Sequence, residues 1–217
     1  MINVPSAVLH AGALSAMSYG YNALHTLTID SFISSQYGGH LQFLTIQGLA
    51  VAWLTMLAGL LADLFPSMSG FRTLKRTLFI VAMPIETMVS SIYWTLLLCW
   101  PHLILQAMPG ESAAFVLPLR IDFALHAVPA IALLLDFMLF EHRYSRRALV
   151  LVAPLMSLVA TLGYSSWVEF CASKNGTFPY PFLTMNPFEI RVRIYAAVGT
   201  VACISFYALN ALHPKSR

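Results

Sequence analysis

Six apolar runs follow one another along the chain with short polar interruptions between them: 4–27, 41–64, 77–100, 121–140, 148–170 and 190–212. A helix needs ~20 residues to cross a hydrocarbon core of ~30 Å. The pattern therefore predicts an all-α integral membrane protein, a single bundle of six transmembrane helices over residues 1–217. Polar residues inside the runs are few and fall on particular faces. Thr45, Gly48, Ala52, Thr55 and Gly59 recur at three- and four-residue spacing, a stripe of small side chains that lets another helix come close. Glu86, Ser90 and Tyr93 line one face of the third run as a hydrogen-bonding stripe. Near mid-membrane, Glu86 has to be protonated or paired; it reads either as a residue supporting a site or as a structural hydrogen bond between helices.

Composition sharpens this picture. Hydrophobic residues make up 59% and charged residues 10% of the chain, where soluble domains hold roughly 45–50% and 25%. Little chain remains outside the runs, so a separate soluble catalytic domain is not expected. Residues 1–6 carry no basic side chain, and the first run reads as an uncleaved anchor rather than a signal peptide. With six spans both termini share a side. That side holds Arg72, Lys75, Arg76, Arg143, Arg146, Arg147, Lys215 and Arg217, against Arg120, Lys174, Arg191 and Arg193 opposite, so eight basic residues face four and both termini are predicted cytosolic. Asn175-Gly176-Thr177, a glycosylation acceptor triplet, falls on the other side, as do Cys99 and Cys171, whose helix ends would meet in an oxidising compartment that allows a disulfide. Cys203 reads as a small buried apolar residue. An endomembrane such as the endoplasmic reticulum, or the plasma membrane, fits these features.

The net charge of +3 is dispersed among loops without an aromatic platform beside it, so nucleic acid is not an expected partner. Transmembrane haem needs paired histidines at two depths, and only His10 and His126 lie well inside the runs. A zinc hydrolase needs three ligands together. No His-x-x-x-His pair occurs, and Asp122 with His126 lacks a third partner at its depth, so neither metal nor cofactor is expected.

His126 is the most pointed of the intramembrane polar residues, with Asp122 one turn before it. An ionisable group at that depth costs at least a few kcal/mol and marks a functional site by default. Counting from the polar ends of their runs at 1.5 Å per residue, Thr45 and His126 both fall roughly 8–9 Å below the non-cytosolic interface. A hydroxyl and an imidazole at one depth are the minimal nucleophile and general base. On spacing alone Thr45 reads first as a packing residue that bonds the carbonyl one turn back. Asp122 reads as the group that orients His126, or as a solvated acid at a helix N-terminus.

The local sequences add a resemblance. Tyr37-Gly38-Gly39-His40-Leu41-Gln42-Phe43-Leu44-Thr45 resembles the Tyr-Gly-Gly-x-x-x-Phe-Leu-Thr segment of the androgen-induced, FAR-17a/AIG1-like family of integral membrane proteins. Pro84 with Tyr93-Trp94, His126 with Pro129, Gly163-Tyr164 with Trp167-Val168, and Tyr180-Pro181-Phe182-Leu183 match that family in order along nearly the whole chain. The resemblance implies an intramembrane threonine hydrolase of fatty acid esters of hydroxy fatty acids, with Thr45 as nucleophile and His126 as base. Animal members have Asn-His-x-x-His where this chain has Asp122-Phe123-Ala124-Leu125-His126. Gln42 and Tyr180 are candidate oxyanion donors, or alternatively interfacial hydrogen-bonding groups. The rival from another class is a small transporter or lipid-binding bundle that uses Asp122, His126 and Glu86.

Overall fold

The structure, a computed structural model, describes residues 3–106 and 114–214. Among these residues there are helices and turns and no strand. The helices are α1 (Val4–Leu24), α2 (Asp30–Ser35), α3 (Leu44–Leu64), α4 (Ser69–Cys99), α5 (Leu119–His126), α6 (Val128–Phe140), α7 (Ala153–Asn175), α8 (Pro181–Thr184) and α9 (Phe188–Leu212). Asn3 caps α1 through its side chain, and Pro5 occupies the first turn, where a missing N–H costs nothing. Gly176, at φ +72°, closes α7 in the left-handed conformation that favours glycine. Lys215 and Arg217, counted in the charge asymmetry, lie outside the described residues.

Among the described residues four helices are long and apolar enough to cross a membrane: α3, α4, α7 with the π turn before it, and α9. A fifth candidate is α5 with α6, bent by 42° at Ala127. The run at 121–140 is thus not one straight helix. Pro129 has no N–H for the carbonyl one turn back, and the break falls directly after His126. At 21 residues α1 is also long enough to span, but polar side chains dilute it. Its buried face runs Ser6, His10, Ala13, Met17, Gly20 and Leu24, at four- and three-residue intervals, and packs against α3, α5 and α6. α7 and α9 keep little of their apolar surface inside the bundle, as lipid-facing helices do.

The small-residue stripe is buried throughout, from Thr45 to Gly59. It admits two polar groups that a larger face would exclude. A Cβ at Gly48 would stand 2.5 Å from Glu86 Oε1, and one at Gly59 2.5 Å from His10 Nε2. Gly59→Ala is therefore expected to destabilise the bundle by about 1–3 kcal/mol through overpacking; a melting temperature matching the parent protein in the same detergent would contradict this.

The third run starts earlier than its hydropathy indicates. The stretch 65–76, read as a loop, is helical from Ser69 onward, which carries Lys75 onto the inner face of α4. There Lys75 Nζ bonds Asp136 Oδ1 at 2.8 Å and Glu141 Oε1 at 2.9 Å, and Arg76 also pairs with Glu141. His10 joins the cluster, with Nδ1 2.8 Å from Asp63 Oδ2 and Nε2 3.3 Å from Asp136 Oδ2. Asp136 is wholly buried, so the lysine supplies the compensation that an isolated carboxylate there would lack.

Candidate functional site

Thr45 owes its place to the way α3 begins. Gly38 (φ +84°) and Gly39 (φ +47°) turn the chain in the left-handed region. A side chain at Gly38 would also meet Cys171 Sγ at 2.7 Å. One 3₁₀ turn, Gly39–Gln42, then delivers Phe43 in extended conformation as the N-cap. Phe43 offers no side-chain acceptor, so the first N–H groups of α3 look elsewhere. Leu44 N–H donates to Tyr180 Oη at 3.0 Å, and the Thr45 hydroxyl stands beside the same phenol. A hydroxyl is thereby held in the first turn of a helix, where the dipole favours negative charge. Burial pushes the Tyr180 phenol above its ordinary range, so it remains a neutral O–H donor at physiological pH.

His126 ends α5, one residue before the kink. Its Nδ1 donates to Asp122 Oδ1 at 2.7 Å and lies 3.3 Å from the Asp122 carbonyl. With the proton on Nδ1, Nε2 keeps its lone pair. Asp122 is 3% exposed, so it is a buried partner of the imidazole rather than a solvated acid at a helix end. Tyr93 lies flat on the imidazole, with ring centroids 3.4 Å apart and planes within 1°.

Thr45 and His126 line one cavity of about 120 Å³, together with His40, Tyr93, Gln106 and Tyr180. They face it from α3 and α5, and among the described residues no hydrogen bond joins them directly. A second cavity of about 130 Å³ opens between α4, α7 and α9, walled mainly by apolar side chains such as Pro84, Met88, Met156 and Val198. Thr45, Tyr93, Ile104 and Tyr180 belong to both walls. The hydroxyl thus stands where a polar-edged chamber meets an apolar one.

Two of the residues considered for this site lie elsewhere. Gln42 is buried and spends its side-chain amide on Gln36 Oε1 at 2.8 Å, while its carbonyl accepts from the Tyr164 hydroxyl at 3.3 Å; its place is in the turn, outside both cavity walls. Glu86 packs against Gly48 with neither carboxyl oxygen bonded among the described residues, and it lines neither cavity. Asn175 clasps the backbone of Tyr37 through both ends of its amide, at 2.8 and 3.1 Å. The thiols of Cys99 and Cys171 are free rather than bridged. Cys171 is sealed beneath Gly38, whereas Cys99 is exposed at the end of α4.

The FAR-17a/AIG1-like protein family model matches residues 6–214. The chain belongs to the FAR-17a/AIG1-like family. A UPF0641 membrane protein of Schizosaccharomyces pombe is 30% identical over 213 residues, covering 96% of this chain and 90% of the relative. A UPF0641 membrane protein of Saccharomyces cerevisiae is 25% identical over 212 residues, covering 92% and 87%. No solved structure matches. In this FAR-17a/AIG1-like protein, the stacking of Tyr93 on His126 adds to the site a contact that neither residue's local sequence announces. Only the stripe of Glu86, Ser90 and Tyr93 carried a signal for it, since helical spacing already turned Tyr93 inward.

Proposed function

We propose that this protein is an intramembrane threonine hydrolase that cleaves fatty acid esters of hydroxy fatty acids. The observation that carries this reading is the meeting of Thr45 and a tautomer-fixed His126 on one cavity wall, with Thr45 also opening onto an apolar chamber. An ester with two long arms needs such a junction. The carbons next to its ester carbonyl enter the apolar chamber that opens between α4, α7 and α9, and those next to its ester oxygen enter the chamber edged by His40 and Gln106.

The chemistry follows from the side chains. His126 Nε2 takes the Thr45 hydroxyl proton as Oγ1 attacks the ester carbonyl carbon. The oxyanion gathers against the Tyr180 hydroxyl, at the positive end of the α3 dipole. Collapse breaks the ester C–O bond, and His126 returns its proton to the departing hydroxy fatty acid oxygen. Water then gives a proton to His126 and attacks the threonyl ester, which releases the fatty acid and restores the Thr45 hydroxyl. Asp122 holds the ring orientation and steadies the imidazolium in both steps. The eight-to-four charge asymmetry supports cytosolic termini, which turn this end of the bundle to the lumen or exterior and bring Asn175 there as a glycan acceptor. The transporter alternative loses its strongest group, because Glu86 lines neither chamber.

Purified protein in detergent is expected to release fatty acid and hydroxy fatty acid in equal amounts from a branched ester; folded protein that releases neither overturns the proposal. Asp122→Asn keeps an acceptor for Nδ1–H and removes only the charge. One charge-assisted hydrogen bond weakened by about 1.5 kcal/mol predicts roughly tenfold slower turnover. A loss as severe as that of His126→Ala would mean that the charge of Asp122, not its position, is indispensable.

A further inference from the structure

Beside the polar-edged chamber, whose wall includes His40, three potential metal ligands converge from separate pieces of chain. His25 follows the last residue of α1, Asp30 opens α2, and His40 sits in the 3₁₀ turn before α3. His25 Nδ1 lies 3.1 Å and His40 Nε2 2.6 Å from the same atom, Asp30 Oδ1, and the three ligand atoms all fall within 4.8 Å of one another. The Ser34 hydroxyl donates to that oxygen as well, at 3.2 Å. Three donors crowded on one carboxylate oxygen is an arrangement in which a single cation can replace two shared protons.

We propose that His25, Asp30 and His40 form a binding site for one zinc-class divalent transition metal ion, with water as the fourth ligand. Two imidazoles and one carboxylate are a recurrent three-ligand set for such ions. At metal–ligand distances of ~2.0–2.1 Å, tetrahedral geometry separates ligand atoms by about 3.3 Å. The observed spacings need only small side-chain rotations to reach that value. Entry is open, since the His25 side chain is 46% exposed, while that of His40 is 9% exposed and faces the chamber. The ion would tie together the segment between α1 and α3, whose Ile29, Ile33 and Phe43 line the chamber. Its function is to clamp that wall. The proposal stands independently of the hydrolase reading, because none of its ligands takes part in acyl transfer.

The test is equilibrium dialysis of the purified full chain, freed of metal, against zinc ion alone, with thermal unfolding in parallel. One zinc per chain is expected, with a melting temperature that rises on loading. His25→Ala and Asp30→Asn are each expected to weaken binding at least ~10-fold and to remove the thermal shift, while His25→Cys, which retains a ligand, preserves both. His102→Ala and His142→Ala serve as controls outside the cluster and leave binding unchanged. Because His25 is half exposed, its replacement does not threaten the fold. Absence of stoichiometric zinc, or binding that survives both His25→Ala and Asp30→Asn, overturns the site and identifies the cluster as a hydrogen-bonded tie only.

Discussion

Replacing Thr45 with alanine is expected to lower ester turnover by ~10³-fold or more while the bundle stays folded. Removing the nucleophile of a nucleophile–base pair leaves only binding and oxyanion stabilisation, and in such units single losses cost about as much as combined ones. His126→Ala should therefore match Thr45→Ala, and the double variant should be little worse than either. Thr45→Ser keeps the hydroxyl and is expected to stay active. The comparison is informative because the Thr45 side chain contributes little to packing beyond the stripe, and alanine fits that stripe. Rates are read from fatty acid release by mass spectrometry, normalised to folded protein. Additive losses in the double variant would show that Thr45 and His126 act separately.

Lys75→Met is expected to be the most damaging change far from the site. It leaves the wholly buried Asp136 without its lysine and removes one of the two cations on Glu141. Breaking a buried pair from one side costs about 3–5 kcal/mol, because the remaining charge is stranded. Replacing both members is gentler, so Lys75→Met combined with Asp136→Leu is expected to melt above Lys75→Met alone. Catalysis per folded molecule should survive, since none of the cluster residues lines either cavity. Thermal unfolding in detergent reads the first effect and ester turnover the second. A double variant that melts below the single one would show that the cluster stabilises by its charges rather than by compensating them.

These two sites differ in how far they were legible from the residues alone. Hydropathy identified the helical class, and the rise per residue put Thr45 and His126 at matching depth; in the structure both reach one cavity. The small-residue stripe also read correctly, because it depends only on spacing along a single helix. What depended on contacts between elements did not read. Lys75 looked like a loop residue, since hydropathy marks where a helix leaves the apolar core and not where its hydrogen bonds end. The kink after His126 was hidden inside a continuous apolar run, although Pro129 was there to cause it. The cluster of His25, Asp30 and His40 is made by the turn at Gly38 and Gly39, which folds the segment back onto itself. No spacing rule brings those three together.

The most direct measurement of the central claim is active-site labelling. A lipid-chain fluorophosphonate, which reacts with an activated hydroxyl, would be applied to the purified protein and the modified peptide located by mass spectrometry. A single adduct on Thr45 is expected, lost in Thr45→Ala and strongly slowed in His126→Ala, where no base activates the hydroxyl. Labelling that persists undiminished in Thr45→Ala, or that falls on another residue, would contradict it.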